Sequence, residues 1–204
     1  MESTMNRRKF AGLSAISLLS MPVMLNTVAC TFGSVFSEML KYIGVGLQGF
    51  QAVVDLLAGA GVIPVGSGTG IDLLISLVKA AFADLNAAIT AYQAAPSASK
   101  ASYLGKLSTV LSVLQANIQQ FWNDLKIPDA KMASTVQGLL GIILSTLAGF
   151  SESLPTPAPT PSALKAASLP NRLSVAPQKR TPSQFKKAFN QELATSGYTQ
   201  YLIP

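Results

Sequence analysis

Apolar side chains recur at steps of three and four over four stretches of the chain. The first runs Ile43, Leu47, Phe50, Val54, Leu57. The second is Ile71, Leu74, Val78, Phe82, Leu85, Ile89, Tyr92, and the third Leu104, Leu107, Leu111, Leu114, Ile118, Phe121, Leu125. The fourth holds Met132, Val136, Leu139, Ile143, Leu147 and Phe150. This spacing puts each set on one stripe of a helix, with Lys, Gln, Asn, Ser and Asp on the rest of its surface. No strand-like alternation of useful length occurs.

The breaks carry their own chemistry. Gly59-Ala60-Gly61 and the run from Pro64 to Gly70 end the first helix, and Ala95-Pro96-Ser97 ends the second. Ile127-Pro128-Asp129 divides the third from the fourth, with Asp129 placed as an N-cap. Two of these connections are short, which favours antiparallel neighbours. The predicted fold class is all-α, with an antiparallel four-helix bundle over residues 30–154.

Beyond Leu154 the pattern changes. Pro155, Pro157, Pro159 and Pro161 alternate with other residues, which forbids helix and sheet and favours an extended polyproline spacer. The predicted linker covers 155–180, without regular structure from 162 onward. A tail over 181–204 then opens with a helix start: Thr181 as cap, Pro182 in the first turn, Gln184 in the capping-box position. Phe185, Ala188, Phe189 and Leu193 give this short amphipathic helix one apolar face, and Gly197 suits its stop. The segment from Tyr198 to Pro204 is apolar enough to dock.

Charge follows the same division. Residues 31–154 hold six lysines and seven acids, whereas residues 155–204 hold six cations (Lys165, Arg172, Lys179, Arg180, Lys186, Lys187) against Glu192 alone. The net charge of +6 therefore comes from the two ends, around a nearly neutral body. The chain has no His and one Cys, which removes the commonest general base, the commonest metal ligand and any internal disulfide.

Residues 1–29 read as an export signal. Arg7-Arg8-Lys9 precedes an acid-free apolar run from Phe10 to Ala29 that serines and Pro22 dilute below the character of a membrane span. Asn6-Arg7-Arg8-Lys9-Phe10 resembles the twin-arginine export signal of bacteria through Arg7, Arg8 and Phe10; Asn6, Ala11 and Gly12 depart from that pattern. The run closes on Thr27-Val28-Ala29-Cys30, which resembles a lipoprotein lipobox, with Thr27 in place of the usual Leu. That resemblance implies acylation of Cys30 and a chain anchored to a membrane without crossing it. Ordinary signal-peptidase cleavage after Ala29 is the alternative.

Three glycine-rich patterns invite chemistry. Gly44-Val45-Gly46-Leu47-Gln48-Gly49 matches G-x-G-x-x-G but lies inside a helical pattern with no preceding strand, so close helix packing is expected. Gly66-Ser67-Gly68-Thr69-Gly70 precedes a helix but lacks the Lys and Ser/Thr of a phosphate loop, and reads as a connector. Gly141, Ser145 and Gly149 form a small-residue row on the most apolar helix, suited to close packing in a bundle core or in lipid.

No catalytic, cofactor-binding or metal-ligating residue is predicted, and the chain is expected not to be an enzyme. The sequence-level expectation is an exported, lipid-anchored cell-envelope protein, facing the periplasm or cell surface, with a structural or interaction role. Its expected partners are the export machinery, membrane lipid through Cys30, and an anionic envelope component or protein. The last would meet the tail through Lys179, Arg180, Phe185, Lys186, Lys187 and Phe189. Nucleic acid is not expected. A bilayer-inserting bundle and a module binding a small apolar ligand are the alternatives.

Overall fold

The computed structural model describes residues 21–63, 70–96, 99–154 and 176–204, with side chains from residue 40 onward. Arg7, Arg8 and Phe10 lie outside the described residues, as do the Pro-rich run 155–161 and most of the Gly66–Gly70 connector. Among the described residues there are five α-helices and no strand: α1 (Met21–Gly59), α2 (Gly70–Ala94), α3 (Lys100–Asp124), α4 (Ala130–Ser151) and α5 (Pro182–Ser196), followed by a 3-10 turn at Thr199–Tyr201. The chain divides into two compact units, Met1–Phe36 and Ser37–Pro204.

Within the second unit the predicted bundle is present. The helices α2 and α3 pack along each other across the short connection at 95–99, and α3 and α4 do so across 125–129. The apolar stripes are the core: Phe50, Leu57, Val78, Phe82, Leu85, Ile89, Leu107, Leu111, Leu114, Ile118, Phe121, Val136 and Leu139 are all essentially buried. Of the predicted stripe residues, Leu47, Ile71, Leu104 and Phe150 are only half-buried. The part of α1 from residue 40 touches each of the other helices. Its Phe50 meets Phe121 of α3 edge-on, with ring centroids 5.2 Å apart, and Tyr42 meets Phe150 of α4 at 4.6 Å.

The helix ends follow their sequence signals. Asp129 Oδ1 accepts from the Met132 amide at 2.6 Å, satisfying one of the four unpaired donors at the start of α4. At the end of α1 the chain turns through Gly61 in the left-handed region (φ 68°), so that the Val62 amide reaches back to the Leu57 carbonyl at 2.9 Å and Ile63 is buried behind it. The capping box of α5 is complete: Gln184 N donates to Thr181 Oγ1 at 3.3 Å, and Thr181 N donates to Gln184 Oε1 at 2.8 Å.

Three features differ from the sequence expectation. First, α1 is helical from Met21 and runs for 39 residues, well ahead of the apolar stripe that begins at Ile43. Met24, Leu25 and Ala29 favour helix, and no Gly or Pro interrupts the chain between Val23 and Gly33. Second, residues 176–180, expected to lack structure, lie along α4. Third, the tail 181–204 belongs to the same compact unit as the bundle, as a fifth helix packed on α4. An apolar face of two phenylalanines and a leucine is better buried than solvated, by ~1.5–3 kcal/mol for each fully covered side chain.

Candidate functional site

The most elaborate polar arrangement among the described side chains is the seat of the C-terminal segment on α4. Ser145 Oγ and Thr146 Oγ1 both donate back to the Ile142 carbonyl, at 3.0 and 2.8 Å. With their protons so committed, the two hydroxyl oxygens are acceptors. Arg180 Nη1 uses them, donating to Ser145 Oγ at 2.5 Å, to Thr146 Oγ1 at 3.3 Å and to the Ile142 carbonyl at 3.3 Å. Every one of these acceptors is neutral. Partial burial lowers the pKa of the guanidinium from its ordinary value, yet arginine stays charged across the physiological range. Charge-assisted bonds to neutral oxygens therefore hold the segment without an ion pair.

Backbone contacts complete the seat. The Gln178 amide donates to the Ser145 carbonyl at 2.9 Å, and the Tyr42 hydroxyl of α1 donates to the carbonyl of Arg180. One turn on from Ser145, Gly149 lets this backbone lie directly on α4: a Cβ there would stand 2.5 Å from the Gln178 oxygen. The small-residue row of the sequence is thus used, in its Ser145 and Gly149 members, to admit an extended strap instead of another helix.

Downstream, α5 buries Phe185, Phe189 and Leu193. A Cβ on Gly49 of α1 would lie 3.1 Å from the Phe189 ring, and one on Gly46 would lie 3.2 Å from Phe82 of α2. Two glycines of the G-x-G-x-x-G pattern therefore serve close approach of aromatic rings, while Gly44 is exposed with no neighbour. After Gly197 (φ 87°) the chain folds back on α5. Asn190 then clamps Ile203 at both ends of its backbone, Nδ2 to the carbonyl at 3.0 Å and Oδ1 from the amide at 2.9 Å. Ile203 is buried, and Lys186 Nζ donates to the Pro204 carbonyl.

Of the six candidate contact residues in the tail, Phe185 and Phe189 are thus inside the fold and Arg180 is engaged on α4. Lys186 is half-buried against the chain's last residue, whereas Lys179 and Lys187 are exposed. The role of Arg180 could not be read from the sequence: its acceptors lie 34 to 38 positions away. The signal that was present is the Ser145–Thr146 pair within the apolar second half of α4.

Two hollows lie nearby. One, lined by Tyr42, Ile43, Phe82, Leu85, Phe150 and Phe185 among others, has a volume of about 20 Å³, room for about one water. The other is an open cleft between Gln48, Gln51 and Asp55 of α1 and the closing residues 200–204. Among the described residues no three of His, Cys, Asp and Glu gather where a metal ion would sit. Two helices, α2 and α4, are long and apolar enough to cross a membrane. No known protein family, curated protein or solved structure matches the chain.

Proposed function

We propose that the chain is an exported, lipid-anchored protein of a bacterial cell envelope, with a structural or interaction role and no catalysis of its own. The observation that supports this best is the way the C-terminal segment is used. Its apolar side is taken up by the bundle, while Lys179 and Lys187 remain exposed on a body that is otherwise close to neutral. Neither forms an ion pair with a carboxylate among the described residues. Exposed cations of this kind suit an anionic envelope component, such as lipid headgroups or wall polymer. Acyl chains on Cys30 would supply the durable attachment, and the leader the route.

The intact mass of the mature protein from its native host, with its N-terminal peptide identified, tests the reading. A diacyl or triacyl mass on Cys30 is the expected result; a chain still carrying Arg7 and Arg8 overturns it. For the exposed cations, Lys179→Glu with Lys187→Glu in an unacylated Cys30→Ser background is expected to abolish sedimentation with anionic vesicles, and unchanged sedimentation overturns that part. The bilayer-inserting alternative draws on the length and apolarity of α2 and α4. Release of dye from anionic vesicles by the protein would favour it.

A further inference from the structure

The C-terminal segment is complete in itself. Residues 176–204 carry their own cap, their own left-handed stop at Gly197 and their own Asn190–Ile203 clamp. Among the described residues the segment seats mainly in a groove between α1 and α4, through Arg180, Gln178 and the Phe185/Phe189 face. None of those contacts depends on the chain that leads into the segment.

That leading chain is long for its task. Gln178 lies on Gly149, so the last residue of the first part, Leu154, and the first of the segment, Ala176, are five and two positions from one shared point. By helix rise and extended-chain spacing they stand within roughly 20 Å of each other. Residues 155–175 can reach at most about 70 Å. The excess is greater than the diameter of a small domain, about 30 Å.

We infer that the α1/α4 groove accepts the C-terminal segment of a second copy of this chain, so that two copies exchange their segments. The exchanged pair keeps every contact of the seat, because groove and segment are unchanged and only the owner of the segment differs. What opposes exchange is the local concentration of the chain's own segment, in the millimolar range for a tether of this kind. Copies crowded to that level, in solution or on a surface, pair. The inference goes beyond the export reading and stands whether or not Cys30 is acylated.

Position 138 of α4 faces position 192 of α5: a Cβ on Gly138 would lie 3.4 Å from Glu192 Cγ, within reach of a disulfide. Three full-length variants are made in a Cys30→Ser background: Gly138→Cys, Glu192→Cys, and both together. The double variant, oxidised in dilute solution, is expected to close within one chain; failure to close overturns the docked geometry and the inference with it. The two single variants are mixed in equal amounts at millimolar concentration, some after unfolding and refolding together, then oxidised and weighed. Exchange gives the mixed 138–192 disulfide well above the half share of random pairing, and its yield falls on dilution. A random distribution after co-refolding, alongside full closure of the double variant, overturns the inference.

Discussion

The helices α2 and α4 have the same mean hydropathy, 1.5 over their most apolar 18 residues, yet 33% of that window is buried in α2 and 56% in α4. The difference lies in which apolar residues stand off the main stripe. Opposite its core face α2 carries Ala80, Ala83 and Ala87, with Leu73 and Leu77 at one end, all exposed. Helix α4 has Leu140 and Leu144 beside the stripe residues Leu139 and Ile143, and all four are buried. Covering a helix face means ordering a second segment, at ~1–2 kcal/mol of backbone entropy per residue. An alanine methyl returns ~0.8 kcal/mol and a leucine ~1.5–3. Ala80, Ala83 and Ala87 return too little to order a covering segment. Helix α4 instead buries Leu140 and Leu144 on one flank of its stripe and receives the C-terminal segment on another, small-residue side at Gly138, Ser145 and Gly149. Equal hydropathy thus conceals unequal capacity to be covered.

The comparison breaks most visibly at Phe189, fully buried where α5 meets Gly49. Phe189→Ala is expected to cost about 3–5 kcal/mol in chemical denaturation; a loss under 1 would mean that the second side of α4 is not firmly covered. Next comes Gly149→Ala, whose methyl group would push the strap off its seat. The expected loss is about 1–3 kcal/mol. Gly44→Ala is the control, since it meets nothing, and should raise stability by up to ~1 kcal/mol through helix propensity.

On α2 the expected effects are smaller. Leu73 is 62% exposed, so Leu73→Gln should change stability by no more than about 0.5 kcal/mol. A larger loss would show that this face is covered after all. Tyr92, at the other end of the helix, sharpens the contrast through pH. Burial raises its phenol above the usual 10.0, so the unfolded chain releases that proton first as pH rises. The contribution of Tyr92 is therefore fully present below pH 10 and declines as pH climbs through the folded-state value. Denaturation midpoints measured from neutral to strongly alkaline pH should lose part of their downward slope in Tyr92→Phe.

The four stripes, the Asp129 cap and the whole of the α5 signature could be read along the chain, because helix periodicity and capping are local. The seat could not. Arg180 reaches Ile142, Ser145 and Thr146 across a long stretch of sequence, and nothing near Arg180 marks it as a side chain that turns inward. Its neighbours Lys179, Lys186 and Lys187 suggest a solvated basic tail, and two of those three lysines are exposed. The small-residue row was visible as a place of close approach, but the sequence does not distinguish an approaching helix from an approaching strap. Helix α1 shows the converse: its periodic stripe announced a helix beginning near Ile43, while the structure carries the helix back to Met21.

The segment that covers α4 is also the last of the described parts to be synthesised. At ~5–20 residues per second, the 52 residues from Ser151 to Ile203 take about 3–10 s to emerge, and through that interval the second side of α4 is bare. A nascent chain held at this stage is sticky, and one that stops early stays so. Arrival of Arg180 and Phe189 ends that interval: the Ser145–Gly149 side of α4 and the close approach at Gly49 are then withdrawn from chaperones, proteases and neighbouring chains.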